Sequence, residues 1–297
     1  MSDAVLIALD WGTTNLRAAL LDGEANVLDH REGRSGVGED DAAGFAATFD
    51  TLTSGWPILP AIAAGMVGSR QGWREADYLP CPADPSGLAG ALTRIEHDGR
   101  TIAIVPGVCM DDPARPDVMR GEETQVAGLV ATGVEDGTAV LPGTHSKWVT
   151  LRDGRLVDFR TCMTGEVFAA LSGHTVLRHT VTMPATMDEG AFADAVVEAH
   201  GDPHALTRGL FGLRAGPLLG RDDGKLGARL SGWLVGLEFA AMAAEGPLHI
   251  VGSERLCAYY AVAARRLGLE ARQHEGGALV WPALLRIARV ARLEGLT

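Results

Sequence analysis

Ala4-Val5-Leu6-Ile7-Ala8-Leu9-Asp10-Trp11-Gly12-Thr13-Thr14-Asn15 is the stretch on which the fold turns. Ala4 to Leu9 is an unbroken apolar run that stops at Asp10, the pattern of a buried strand. Asp10 leaves a carboxylate at the strand end, and Trp11-Gly12-Thr13-Thr14 turns the chain. Leu16 to Leu21 reads as a second strand. Asp22-Gly23 is a tight hairpin signal, and Ala25 to His30 reads as a third strand. A helix over 41–53 places Phe45, Phe49 and Leu52 near one face. Ala61 to Val67 and Thr101 to Val105 are further strands, and the Pro- and Gly-rich residues 80–90 read as a loop.

The same order returns further on. Gly137 to Leu141 is an apolar strand, Pro142-Gly143-Thr144-His145-Ser146 a turn of small and hydroxyl residues, and Lys147 to Leu151 a strand. Asp153-Gly154 is a hairpin turn and Leu156 to Thr161 another strand. Helices follow over about 165–171 and 189–199. A long helix covers about Leu226 to Ala244, then a strand Leu248 to Val251, a turn at Gly252-Ser253, a helix from Glu254 to Leu267 and an amphipathic helix from about Ala278 to Leu293. The repeat is one of organisation rather than of residue identity. It divides the chain into lobes at 1–133 and 134–297, with the last helix free to pack back on the first lobe.

The 297 residues are 46% hydrophobic and 22% charged, ordinary globular composition for about two domains. A formal net charge of -12 argues against nucleic acid and against an anionic membrane surface. Cys81, Cys109, Cys162 and Cys257 form no C-x-x-C pair, which reads as four reduced thiols of a cytoplasmic protein without zinc. No run approaches the roughly 18 apolar residues of a membrane span.

Five segments carry chemistry. In Asp10 to Asn15, the glycine and hydroxyls can offer N–H and O–H groups to phosphate oxygens. The Asp10 carboxylate can hold Mg²⁺ through water; a polar hairpin turn is the plainer reading. Gly143-Thr144-His145-Ser146-Lys147 has the same character in the second repeat, so the two turns facing each other would clasp a triphosphate, with Lys147 and Arg17 adding positive charge. In Arg120-Gly121-Glu122-Glu123-Thr124-Gln125 two acids open a helix. They complement the helix dipole, or one of them accepts the proton of an attacking hydroxyl, as phosphoryl transfer requires. Gly65 to Trp73 opens a strand into a loop. There Arg70 suits a carboxylate, and Ser69, Gln71 and Trp73 suit sugar hydroxyls, with Arg120 also on the substrate side. Val251-Gly252-Ser253 is a small-residue turn against which a flat ring can lie.

Together these segments resemble the sugar-kinase branch of the actin, Hsp70 and hexokinase superfamily. That resemblance implies an α/β fold of two duplicated ribonuclease-H-like (actin-like ATPase) lobes with a nucleotide cleft between them. Asp10 to Asn15 and Gly143 to Lys147 look like its two phosphate motifs, and Gly252-Ser253 like its adenosine motif. A carboxylate about twenty residues before the second phosphate turn is typical of related carbohydrate kinases, where Glu122 and Glu123 stand here. Four longer stretches resemble the 2-dehydro-3-deoxygalactonokinase family: Gly65 to Trp73, Met119 to Gln125, Leu141 to Trp148 and Met163-Thr164-Gly165-Glu166.

This second resemblance implies transfer of phosphate from Mg-ATP to the 6-hydroxyl of 2-dehydro-3-deoxy-D-galactonate, in galactonate degradation. Asp10 would hold the metal and Glu122 or Glu123 would act as base. Gly12, Thr13, Thr14, Asn15, Arg17, Gly143, Thr144, His145, Ser146, Lys147, Gly252 and Ser253 would bind nucleotide. Related kinases often present Gly-Asp-Gln where this chain has Gly-Glu-Glu-Thr-Gln, so counting from the glycine picks Glu122 and counting back from Gln125 picks Glu123. A kinase for an epimeric sugar acid such as 2-dehydro-3-deoxygluconate, and a non-catalytic sugar sensor on the same fold, are the alternatives. A homodimer is expected by base rate alone.

Overall fold

The computed structural model describes residues 4–13, 15–34, 37, 42–182, 187–293 and 296. The first elements are β1 (Leu6–Trp11), β2 (Asn15–Leu21), β3 (Val27–Arg34), α1 (Ala42–Thr53), β4 (Ala61–Gly65) and β5 (Tyr78–Pro80). Then come α2 (Pro85–Gly90), β6 (Thr93–His97), β7 (Arg100–Ile104), β8 (Gly107–Met110), β9 (Asp117–Met119) and α3 (Glu122–Ala131). Next are β10 (Gly137–Leu141), β11 (Ser146–Arg152), β12 (Arg155–Cys162), α4 (Thr164–His174), α5 (Glu189–Gly201), α6 (Ala205–Gly209) and α7 (Gly212–Leu218). The last are α8 (Leu226–Ala241), β13 (Leu248–Gly252), α9 (Glu254–Arg266), β14 (Ala271–Glu275) and α10 (Gly276–Val290).

The chain divides into two compact units. The first is Met1–Asp136 with Leu151–Phe159 and Gly276–Thr297; the second is Gly137–Thr150 with Arg160–Glu275. The first unit holds a sheet in the order β3-β2-β1-β4-β7-β6. The apolar run of β1 lies at its centre because Leu6 to Leu9 are fully buried and must be covered on both faces. β1 runs antiparallel to β2 and parallel to β4, and β4 runs parallel to β7. Ile7, Leu9 and Trp11 pack with Phe45 and Phe49 of α1 in one core cluster. α10 belongs to this unit and packs on α3, α2 and β1.

The second unit holds a sheet in the order β12-β11-β10-β13-β14. β10, β13 and β14 run parallel. Residues 142–145 are too few for a crossover, so β10 and β11 are an antiparallel pair. Its core cluster joins Val140, Leu248 and Ile250 of the sheet to Phe192 of α5, Val235 and Phe239 of α8 and Ala263 of α9. With β6 set aside, both sheets share one order: third, second, first, fourth, fifth strand. The fold is therefore α/β with the ribonuclease-H-like arrangement of actin-like ATPases present twice, as the resemblance implied.

Some elements differ from expectation. Residues 80–90 are not all loop: α2 forms because Asp84 caps it, accepting from the Gly87 N–H at 2.8 Å, and Pro85 sits in its first turn, where no intrahelical donor is needed. The Asp22-Gly23 turn is longer than a two-residue hairpin. The Asp22 carboxylate accepts from the N–H groups of Glu24 and Asn26, which opens the loop to Asn26. Asp153-Gly154 does form the tight turn, with φ of 51° and 68°. Among the described residues no helix is long and apolar enough to cross a membrane.

Candidate active site

Asp10 lies where β1 ends, directly opposite Arg17 on β2. That register makes them an ion pair, each side chain partly exposed. Gly12 N–H donates to the Asn15 carbonyl at 2.9 Å and closes the turn between them, with Thr13 and Asn15 exposed. Thr14 lies outside the described residues. The Arg17 guanidinium also stands 5.8 Å from the Trp281 ring on α10.

A pair of glycines brings α3 to the same strand ends. Gly65, at the end of β4, has φ of +96°, and a Cβ there would lie 2.7 Å from the Trp11 carbonyl oxygen. Gly121, the residue before α3, has φ of +107°, and its Cβ would lie 3.3 Å from Gly65 Cα. Both conformations favour glycine, and the missing side chains let the helix start rest against β1 and β4. The first turn of α3 is thereby set near Asp10.

The two candidate bases are sorted by burial. Glu123 is 2% exposed. Its Oε2 accepts from the Gly121 N–H at 2.6 Å and its Oε1 from the Thr124 hydroxyl at 3.0 Å. It borders a cavity of about 10 Å³ among Ala83, Leu88, Val108, Val126 and Leu156, room for at most one water. Burial, with the nearby Glu122 charge second, pushes its carboxyl up to about 8. Glu122 is half-buried, and its Oε2 accepts from the Arg120 N–H at 3.1 Å. A carboxyl enclosed in apolar side chains cannot meet a sugar hydroxyl; one at the surface of the same helix turn can.

The substrate residues also separate. Arg70 is 82% exposed and pairs loosely with Glu75 at 3.5 Å. Gln71 is exposed beside it. Trp73 is half-buried, with ring centres 5.8 Å from Phe49 and 6.1 Å from Trp11, so much of its surface belongs to the core. Arg120 is buried. Its Nη2 donates to the Ala76 carbonyl at 2.7 Å and its guanidinium lies over the Tyr78 ring at 4.3 Å. Its Nε and Nη1, and the buried Ser69 hydroxyl, have no hydrogen-bond partner among the described residues. Unmet buried donors of this kind are costly and call for an acceptor.

In the second unit the turn after β10 is built by α4. A Cβ at Gly165 would fall 2.5 Å from the Gly143 carbonyl oxygen and 2.8 Å from Thr144 Cα, so only glycine allows this helix start to lie on the turn. The Glu166 N–H donates to the Thr144 carbonyl at 3.0 Å, and the Glu166 carboxylate meets His145 Nε2 at 2.5 Å. Thr144 and His145 are exposed. Ser146 and Lys147 are instead buried, Lys147 Nζ donating to the Thr161 hydroxyl at 2.9 Å. Gly252 ends β13 beside Pro142, and Ser253 is the residue before α9. Both turns therefore stand at the carboxyl ends of neighbouring parallel strands, where α/β sheets bind ligands. Next to them a cavity of about 320 Å³ opens among Gly143, Gly165, Leu234, Val235, Arg255 and Tyr259. Its size and largely apolar lining suit a small planar ligand.

Sequence reasoning missed Glu238 and Tyr260, which are buried beneath this turn. A glutamate in a helical pattern reads as part of a solvent face, and its partners lie 22 to 90 residues away in sequence.

A family model described as 2-keto-3-deoxy-galactonokinase matches residues 10–287. A protein of Rhizobium meliloti (strain 1021), "Probable 2-dehydro-3-deoxygalactonokinase DgoK1", is 40% identical over 293 residues, covering 95% of this chain and 96% of its own length. The "2-dehydro-3-deoxygalactonokinase" of Escherichia coli (strain K12) is 36% identical over 271 residues, covering 89% and 90%. A crystal structure from Sinorhizobium meliloti bearing the same family name is 38% identical, with a TM-score of 0.89 over 96% of this chain and 98% of its own. With the match spanning both units and every motif described above, the chain belongs to the 2-keto-3-deoxygalactonokinase family.

Proposed function

We propose that this protein is an ATP-dependent kinase that phosphorylates the 6-hydroxyl of 2-dehydro-3-deoxy-D-galactonate, giving 2-dehydro-3-deoxy-6-phospho-D-galactonate in galactonate degradation in the cytoplasm. The observation that carries the reading is that two relatives named for this activity match about nine-tenths of the chain or more. The net charge of -12 agrees with a small-molecule substrate rather than a nucleic-acid partner.

Each half-site fits a part of the task. In the first unit, the Asp10 carboxylate at a strand end, with one oxygen paired to Arg17, suits Mg²⁺, which keeps most of its waters and takes one or two carboxylates. ATP with Mg²⁺ supplies the transferable phosphoryl group and neutralises its charge. Thr13 and Asn15 offer donors to phosphate oxygens from the turn that Gly12 closes, as do Gly143 and Thr144 in the second unit. Thr14, outside the described residues, is a further phosphate donor on the ground of the sequence motif alone. The 320 Å³ cavity beside Gly252 and Ser253 takes the adenine and ribose.

Glu122 is the base. As the 6-oxygen bonds to phosphorus and ADP leaves, the hydroxyl proton passes to the Glu122 carboxylate. Arg120 and Ser69, whose buried donors lack a partner among the described residues, are assigned to the sugar-acid carboxylate, which must displace neighbouring side chains to reach them. Arg70, Gln71 and Trp73 form the rim of that subsite.

The test is ADP release with Mg-ATP and a panel of sugar acids beside a no-sugar control. Turnover with 2-dehydro-3-deoxy-D-galactonate, and a drop in kcat of about 10²- to 10⁴-fold in Glu122→Gln, is the expected result. Preference for 2-dehydro-3-deoxygluconate would move the substrate. ADP release that ignores sugar would overturn the kinase reading.

A further inference from the structure

The buried carboxylate of Glu238 has no part in the chemistry described above. It stands on α8 at 3% exposure. Burial pushes its carboxyl pKa up, against the hydrogen bonds from Thr164, Trp148 and Tyr260 that pull it down. An acid kept in such a place without a task would be replaced by an apolar residue at little cost.

Its bonds show what it joins. Trp148 Nε1 on β11 donates to Oε1 at 2.7 Å. The Thr164 hydroxyl at the start of α4 donates to Oε2, and so does the Tyr260 hydroxyl of α9 at 2.8 Å. Since the Tyr260 proton is directed at Glu238, the Ser146 hydroxyl, 2.9 Å away, donates to the Tyr260 oxygen. Two carboxylate oxygens can accept all of these bonds at once, whereas an amide has a single acceptor.

Ser146 begins β11 directly after Thr144 and His145, and Thr164 precedes Gly165, which lies on Gly143 and Thr144. Glu238 thus grips both chain segments that define the turn Gly143–His145. Thr164 and Tyr260 also line the 320 Å³ cavity. One carboxylate therefore fixes the turn and a wall of the cavity to each other.

We infer that Glu238 is a positioning residue of the nucleotide half-site, pre-organising the turn Gly143–His145 and the adjoining cavity through Trp148, Thr164 and the Tyr260–Ser146 pair. This rests on the reading that the second unit takes ATP. A network that holds a site in its binding geometry removes an ordering cost otherwise met at binding. Its loss is felt in nucleotide affinity, while the sugar-acid subsite, built on the first unit, is left alone.

The experiment compares wild type with Glu238→Gln, Tyr260→Phe and the double variant in the full chain. KM is measured for ATP and for the sugar acid, ADP affinity is titrated without sugar, and Tm is recorded. Tyr260→Phe keeps the ring in the core and removes the two bonds of its hydroxyl, the one to Glu238 and the one from Ser146. Glu238→Gln keeps the Trp148 bond and loses the charge. The expected result is a rise of about tenfold in KM for ATP and in the ADP Kd, equivalent to about 1.4 kcal/mol, with sugar-acid KM within about twofold. The double variant should be no worse than the weaker single, because both cut one network. Equal changes in both KM values, or a lower Tm with nucleotide affinity unchanged, would overturn the inference and leave a structural role only. The wild type separates this from the parent reading: if it releases no ADP the kinase reading fails, and if it turns over while both variants match it, the positioning role alone fails.

Discussion

Glu123→Gln should stabilise this protein, and by an amount that depends on pH. The carboxyl sits in an apolar pocket at 2% exposure, with its proton favoured up to about pH 8 rather than the ordinary 4.5. The native state therefore binds this proton more tightly than the unfolded chain. Between 4.5 and about 8 the unfolded chain releases it first, so the stability this group contributes is full below 4.5 and is lost as pH rises toward 8. At 1.36 kcal/mol per pH unit, the whole window is worth about 5 kcal/mol. Two pH units inside it are worth about 3 kcal/mol. A glutamine has no proton to lose. Its carbonyl can accept the Gly121 N–H and its amide can face the Thr124 hydroxyl, the two groups Glu123 now meets. The variant should thus match wild type near pH 4.5 and gain on it steadily to pH 8. From pH 5.5 to 7.5 the gain in Tm should be roughly 5–10 °C. Thermal unfolding of both proteins in a pH series measures it. With Glu122 proposed as the base, kcat of the variant should stay within about threefold of wild type. A stability difference that does not change with pH would refute the buried neutral acid, and a hundredfold loss of kcat would refute the choice of Glu122 as base.

Other perturbations follow from the same geometry. Arg120→Ala should raise the sugar-acid KM by tenfold or more, about 1.4 kcal/mol. Arg70→Ala, which removes a side chain 82% exposed, should change it by less than about threefold; the reverse order in steady-state kinetics would return the substrate carboxylate to Arg70. Gly65→Ala forces a φ of +96° on alanine and drives its methyl into the Trp11 carbonyl. Strain of about 1–3 kcal/mol and a kcat loss are expected together, because the contact that sets α3 is broken; an unchanged kcat would show the glycine seat to be structural only. Leu284→Ala on α10, fully buried, should cost about 2–5 kcal/mol in denaturant unfolding, whereas a helix held only loosely to the first unit would lose almost nothing.

The sequence made the framework legible where local chemistry and packing agree. The apolar runs of β1 and β10 are central strands with small-residue turns after them, so both hydrophobic pattern and turn residues pointed one way, and the resemblance drawn from the four motif stretches agrees with the family match. Two edge strands, β6 and β14, were not legible, although the opposite edges β3 and β12 were. β14 reads Ala-Arg-Gln-His-Glu because it is paired on one side only and half exposed, and β6 alternates around the single buried residue Ile95. The helix α2 was hidden by its own Pro and Gly. Within the site, the motif counted equally to Glu122 and Glu123, and only burial separates two adjacent carboxylates on one helix turn. Arg70 and Arg120 were both placed on the substrate side by the sequence, and what it could not show is that the first is exposed and the second buried. Glu238 was out of reach altogether, because its meaning lies in donors brought from three other elements.

The first unit is assembled from three separated stretches of chain, and the last of them carries α10, which covers α3 and packs against β1. Synthesis proceeds from the N-terminal end, so β1 to α3 emerge long before the helix that shields them. All of the second unit is made in between, and at ~5–20 residues per second the wait is on the order of ten seconds. During it the apolar face of α3 is open to water, to the ribosome surface and to chaperones. The half of the protein that is begun first is completed last, only once the other half has been made.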